Sequence, residues 1–250
     1  MPTLAPHAHS TEGNTQQLRS LSLPGPAGKL EALLNAGKPQ ATCAALICHP
    51  HPLGGGSLHN KVVYHAMKAL NDAHFGFAWP VLRFNFRGMG LSTGEHHGSE
   101  EAEDVLAALD WLRAEYRLPI LLAGFSFGAV MSIEALAKSA PADIFGLCAL
   151  GLPVRAESRH YSYPALKNLK LPKLFLSGDR DEYAPAQELR AIVDTAAEPK
   201  ELKLIPETGH FFNSRLKEMQ NALTDWLKST ASLPCNLMPA NSSQERRARQ

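Results

Sequence analysis

The sequence predicts an α/β fold, a mostly parallel central sheet with helices on both faces. Three observations carry that prediction. Continuous apolar strands alternate with helix-length segments from about residue 42 to 228, the pattern of strands buried on both faces. Apolar residues recur at helical spacing between them, as Val105, Leu106, Leu109 and Leu112 do. At 250 residues the chain suits one large domain with material for a sizeable core.

The elements follow in order. Residues 1–17 are polar and are expected to be a disordered segment; the folded domain is expected over 18–230, with a disordered tail over 231–250. Residues 18–23 and 29–34 read as a hairpin across Pro24-Gly25-Pro26-Ala27-Gly28. A strand at 42–48 and a helix at 59–73 come next, then a strand at 79–86. The helix predicted at 99–115 has Glu100, Glu101, Glu103 and Asp104 at its start and arginine near its end, as the helix dipole prefers. A strand at 119–124 leads into a helix at 127–139, and strands at 144–150 and 173–178 follow. The chain closes with a helix at 185–196, a strand at 201–205 and a helix at 214–228.

The bulk numbers exclude several classes. A formal net charge of +1 points to no nucleic acid and no acidic partner. No stretch approaches the length of a membrane helix, and residues 1–17 hold no apolar run of signal-peptide length. Cys43, Cys48, Cys148 and Cys235 form no C-x-x-C pair, and three of them lie in or beside predicted strands. They read as small core residues in a reduced, cytoplasmic setting.

Gly124-Phe125-Ser126-Phe127-Gly128 is the stretch that carries chemistry. It joins the apolar run Ile120-Leu121-Leu122-Ala123 to a helix, with a serine at the apex. A G-x-S-x-G turn is strained at the serine, and larger side chains at its glycines would meet neighbouring elements. A serine hydroxyl is a weak nucleophile until a base takes its proton, and the base needs an orienting acid. Leu174-Phe175-Leu176-Ser177-Gly178-Asp179-Arg180-Asp181-Glu182 ends a strand with acids in a turn. Pro206-Glu207-Thr208-Gly209-His210 places a histidine on a loop after the last strand. The chain order is therefore Ser126, an aspartate, then His210.

These residues, with His49-Pro50-His51-Pro52-Leu53-Gly54-Gly55, His59-Asn60-Lys61-Val62-Val63, Asn85-Phe86-Arg87-Gly88-Met89-Gly90-Leu91-Ser92-Thr93-Gly94 and Gly209-His210-Phe211-Phe212, resemble the α/β-hydrolase superfamily. The likeness is strongest to its small, nearly lidless serine esterases and spans about residues 18–228. The resemblance implies the α/β-hydrolase fold with a minimal cap. It also implies a triad of Ser126, His210 and Asp181, the acid three residues after the glycine; Asp179 and Glu182 are then loop acids. Two amides should form the oxyanion hole. One is that of Phe127. The other belongs to the loop after strand 42–48, where Pro50 and Pro52 have no N–H, so His51 is the better donor and Leu53 the second.

Other readings of the same residues are weaker. His49 and His51 could suggest zinc, but the loop supplies no third ligand or carboxylate; His49 is expected to bond loop backbone, and no metal and no cofactor are expected. Arg87–Gly94 fails the dinucleotide spacing, since Thr93 occupies the sixth position; it is expected to be a glycine-rich turn beside the site, with Arg87 paired to an acid. Tyr161 and Tyr163 either wall a pocket or pack a connecting segment. Phe211 and Phe212 are expected to anchor the histidine loop by burial. Residues 152–171 are too few for a full cap, which argues against a lipase that opens at an oil interface. The expected activity is hydrolysis of a small or medium acyl ester, a small-molecule substrate. A thioesterase, peptidase or acyltransferase on the same triad is the alternative, with a non-catalytic scaffold further off.

Overall fold

A computed structural model describes residues 17–139, 142–156 and 159–230; the expectations for the two tails lie outside them. The first hairpin pairs β1 (Leu18–Gly25) with β2 (Gly28–Asn35), antiparallel. Its turn is two residues, and Gly28 takes a positive φ of 114°, which a side chain would resist. After it come β3 (Ala44–Cys48), α1 (Lys61–Asn71), β4 (Val81–Phe84), α2 (Glu101–Tyr116), β5 (Ile120–Phe125), α3 (Phe127–Lys138) and β6 (Ile144–Leu150). The chain ends with the short β7 (Arg155–Ala156) and β8 (Arg159–His160), then β9 (Lys173–Gly178), α4 (Ala186–Thr195), β10 (Lys200–Ile205) and α5 (Leu216–Ser229).

Eight strands form one sheet in the order β1-β2-β4-β3-β5-β6-β9-β10. β1 and β2, and β2 and β4, run antiparallel; every other pair is parallel. The sheet is mostly parallel with helices on both faces, as the alternation of elements predicts, and the arrangement is the α/β hydrolase fold that the resemblance implies.

Side chains alternate across each strand, so the sheet feeds two cores. Ala44, Leu46 and Cys48 of β3 join a core with the apolar faces of α2, α3 and α4. Ala45 and Ile47 join a second core with α1 and α5, where Trp226 and Leu227 are buried. All five residues of β3 and all six of β5 are buried, which explains why both read as unbroken apolar runs.

Predicted ends moved where a side chain caps a turn. α1 starts at Lys61 because Asn60 accepts the Val62 N–H. It stops at Asn71 because Asp72 accepts the His74 N–H and opens a separate 3-10 turn. The β7–β8 hairpin has two residues per strand, too few to leave a periodic signal. It stands in the connection from β6 to β9, the place where a cap would be inserted.

β3 connects to β4 on one side, and the chain then crosses to β5 on the other. The crevice beyond the carboxyl ends of β3 and β5 is a topological switch point, where α/β sheets bind ligands. The loop bearing His51 and the turn bearing Ser126 both open there.

Candidate active site

Ser126 joins β5 to α3 with φ 55° and ψ −119°, a conformation costly for a residue with a side chain. The structure shows why glycine flanks it. A Cβ on Gly124 would strike the backbone of Gly128 and Ala129, and one on Gly128 would strike the carbonyls of Cys48 and His49. The elbow is therefore wedged between β5, α3 and the end of β3. The Ser126 N–H is held by the Leu150 carbonyl at 2.9 Å. Phe127 is the first residue of α3, where helix geometry gives the N–H no intrahelical acceptor.

Asp181 is 2% exposed and sits in the turn after β9. Its Oδ1 accepts the amides of Tyr183 (2.9 Å) and Ala184 (3.1 Å), and its Oδ2 accepts the Ser177 hydroxyl (2.7 Å). His210 Nδ1 lies 2.9 Å from Oδ2 and 3.1 Å from Oδ1. Burial pushes the Asp181 carboxyl up, but the bonds and charge of His210, the Ser177 hydroxyl and the Tyr183 amide outweigh it and hold the pKa below the ordinary value. The acid therefore stays ionised at neutral pH. Asp179 is exposed. Glu182 accepts the His210 N–H at 3.4 Å, a bond from a loop acid to the histidine's backbone.

Two glycines make room for this pairing. A Cβ on Gly178 would strike the Thr208 and Gly209 carbonyls, so the acid turn and the histidine loop approach backbone to backbone. Gly151 has φ 51°, and a Cβ there would lie 2.9 Å from the Phe125 ring and 3.1 Å from His210 Cε1. Nothing in the residue pattern marked Gly151 as part of the histidine's seat. The Tyr183 ring stands edge-on to His210 at 4.7 Å between centroids, and Phe125 packs at 4.9 Å.

Ser126, Phe127, His51 and His210 all line one cavity of about 500 Å³. Tyr161, Tyr183 and Phe211 form its aromatic wall, with Pro153 and Ala156 contributed by the β6–β9 connection. Tyr161 faces the cavity, whereas Tyr163 is buried and donates its hydroxyl to the Pro153 carbonyl; one tyrosine walls a pocket and the other packs. Phe212 is fully buried, as expected, but Phe211 is 37% exposed and lines the cavity. That corrects its reading as an anchor: the loop turns at Phe212, which has φ 52°, and directs the two rings to different places.

The His51 loop is built by its own backbone. The His51 carbonyl accepts the amides of Gly54 and Gly56. The Leu53 N–H donates to His51 Nδ1 at 3.2 Å, which commits that amide within the loop. The His51 ring packs 5.0 Å from Phe127 and 4.8 Å from His96. His49 donates from Nδ1 to the Pro50 carbonyl and accepts the Phe86 N–H at Nε2. Burial lowers its pKa to about 4, with the charges of His96 and His51 adding to the fall against the Pro50 bond. His49 is thus a neutral clasp between the loop and β4's end, and neither ring nitrogen faces a ligand.

The neighbouring groups take structural roles. The Arg87 guanidinium bonds both oxygens of buried Asp104 and one of Glu100. Residues 88–94 are laced to β2 through Glu31, Ser92 and Thr93, so this turn packs on the hairpin and not on the cavity. Burial pushes the Cys48 thiol up to about 12, which removes it as a nucleophile at neutral pH.

The comparisons with known proteins agree with the fold. A family model described as an alpha/beta hydrolase domain matches residues 44–237. An uncharacterized protein of Rickettsia prowazekii is 34% identical over 212 residues, 81% of this chain and 86% of that one. An alpha-beta serine hydrolase homologue from Coxiella burnetii superposes with a TM-score of 0.71 at 33% identity, covering 83% of this chain and 96% of its own. A Xanthomonas campestris serine hydrolase without a lid gives 0.75 at 31%, covering 90% and 97%. The chain belongs to the α/β hydrolase family, and the solved structures it resembles include a serine hydrolase without a lid. Among the described residues, no helix is long and apolar enough to cross a membrane.

Proposed function

We propose that the protein is a serine carboxylesterase acting on small or medium acyl esters through Ser126, His210 and Asp181. The observation that carries the reading is the buried Asp181–His210 pair, at 2.9 Å, opening on the same cavity as a strained Ser126. Asp181 fixes the proton on Nδ1, so Nε2 is the basic nitrogen. As Ser126 Oγ attacks the ester carbonyl, its proton passes to Nε2, and an imidazolium forms beside the ionised Asp181. The carbonyl oxygen becomes an oxyanion held by the amides of Phe127 and His51. Collapse breaks the bond to the alcohol, which leaves with the His210 proton. Water then enters, gives a proton to His210 and repeats the attack on the acyl-enzyme, releasing the acid and restoring Ser126.

The cavity suits a compact substrate. About 500 Å³ is enough for a small or medium ester, and its wall is aromatic. The β6–β9 connection is too short for a full cap domain, which favours soluble esters over emulsions. We place the enzyme in the cytoplasm, because Cys48 and Cys148 are buried thiols outside any disulfide. The test is pre-steady-state hydrolysis of p-nitrophenyl acetate, butyrate and octanoate. A burst stoichiometric with enzyme, falling off at octanoate and lost in Ser126→Ala, is the expected result. Turnover without a burst, retained in Ser126→Ala, would overturn the acyl-enzyme. A thioester turned over in preference to all three esters would replace the ester with the thioesterase reading.

A further inference from the structure

Two arginines lie four residues apart, each 4% exposed, and they differ in one respect. Arg87 has two carboxylates. Arg83, in β4, has no acid within 4.0 Å among the described residues. Its two terminal nitrogens donate to the Leu58 carbonyl and to Asn35 Oδ1, both at 3.0 Å. Its Nε is buried with no hydrogen-bond partner. A guanidinium carries five N–H donors, so two acceptors leave it under-satisfied. A buried charge without a counter-charge is among the costliest groups in a fold.

Arg83 is also in the wall of a second cavity, about 350 Å³, between α1 and the β1–β2 hairpin. Tyr64 and Lys68 of α1 and Asn35 of β2 share that wall. Lys68 is exposed and forms no ion pair among the described residues. Asp72 is in the lining too, and its carboxylate is committed to the His74 N–H at 2.9 Å. The wall therefore sets two cations against one carboxylate, a net positive lining.

We propose that this cavity binds a small anion, a carboxylate or an inorganic oxyanion, through the Arg83 guanidinium with Lys68 at the mouth. The planar guanidinium suits paired oxygens. The site is separate from Ser126, yet it touches the chain that leads there. The Leu58 carbonyl held by Arg83 precedes Asn60, which lines the Ser126 cavity.

Calorimetric titration with acetate and with inorganic phosphate tests the proposal, and the anion that saturates names the ligand class. One saturable site is expected in the wild type, absent in Arg83→Met and about threefold weaker in Lys68→Met. Amide chemical shifts in the wild type locate the anion without any variant. Shifts centred on Asn35, Tyr64 and Arg83 are expected. Shifts confined to His51 and Phe127, no saturation by either anion, or unchanged binding in folded Arg83→Met would overturn it.

Discussion

Replacing Asp181 with asparagine exchanges one oxygen for a donor, and the surroundings dictate where that donor goes. The Oδ1 position accepts two backbone amides, from Tyr183 and Ala184, so the asparagine oxygen must stay there. The NH2 group is then forced to the Oδ2 position, between Ser177 Oγ and His210 Nδ1. The serine hydroxyl can rotate to accept. His210 must accept as well, which moves its proton to Nε2. The imidazole keeps its place but can no longer take a proton from Ser126. In triads of this logic the same exchange costs about 10⁴-fold in kcat, or about 5 kcal/mol of barrier. We expect Asp181→Asn to lose p-nitrophenyl acetate turnover by about that factor, with an unchanged circular dichroism spectrum. Activity within tenfold of wild type in a folded variant would refute the role given to Asp181.

Gly151→Ala should cost far more activity than stability: left-handed backbone costs alanine about 1–2 kcal/mol, while the new Cβ, 3.1 Å from His210 Cε1, displaces the base; a melting-temperature drop with undiminished kcat would contradict this. Stability should fall with acid through His49. Its folded pKa is about 4, against about 6.5 unfolded, so below pH 6.5 the unfolded chain takes up a proton that the folded chain refuses. The loss is absent above pH 6.5 and reaches about 3 kcal/mol by pH 4; urea titrations should show it, and His49→Asn should flatten the slope. Asp104→Ala leaves Arg87 buried with only Glu100 beside it, and should lower unfolding free energy by about 3 kcal/mol with little change in kcat/KM, both measurable on one preparation.

Much of the fold was legible because its signals are local. β3 and β5 are apolar throughout since both faces are covered, and the Ser126 elbow advertises itself through glycines that neighbouring backbone requires. The choice of Asp181 over Asp179 as the proposed acid rests on the family resemblance alone. Asp179 and Asp181 are the same residue type in one turn, and it is the turn after β9 that buries one and exposes the other. Phe211 and Phe212 were read alike because adjacency says nothing of a positive-φ turn between them. Gly151 and Arg83 were not legible. The partners that give them meaning, His210 and Leu58, come from other segments, and a sequence pattern does not record contacts that distant elements create.

The central claim is that Ser126 is a nucleophile activated by His210. Mass spectrometry after treatment with a fluorophosphonate tests it most directly. The account predicts a single adduct that maps to Ser126, is absent in Ser126→Ala and forms orders of magnitude more slowly in His210→Ala. An adduct on another residue, or none on the folded wild-type protein, would contradict it.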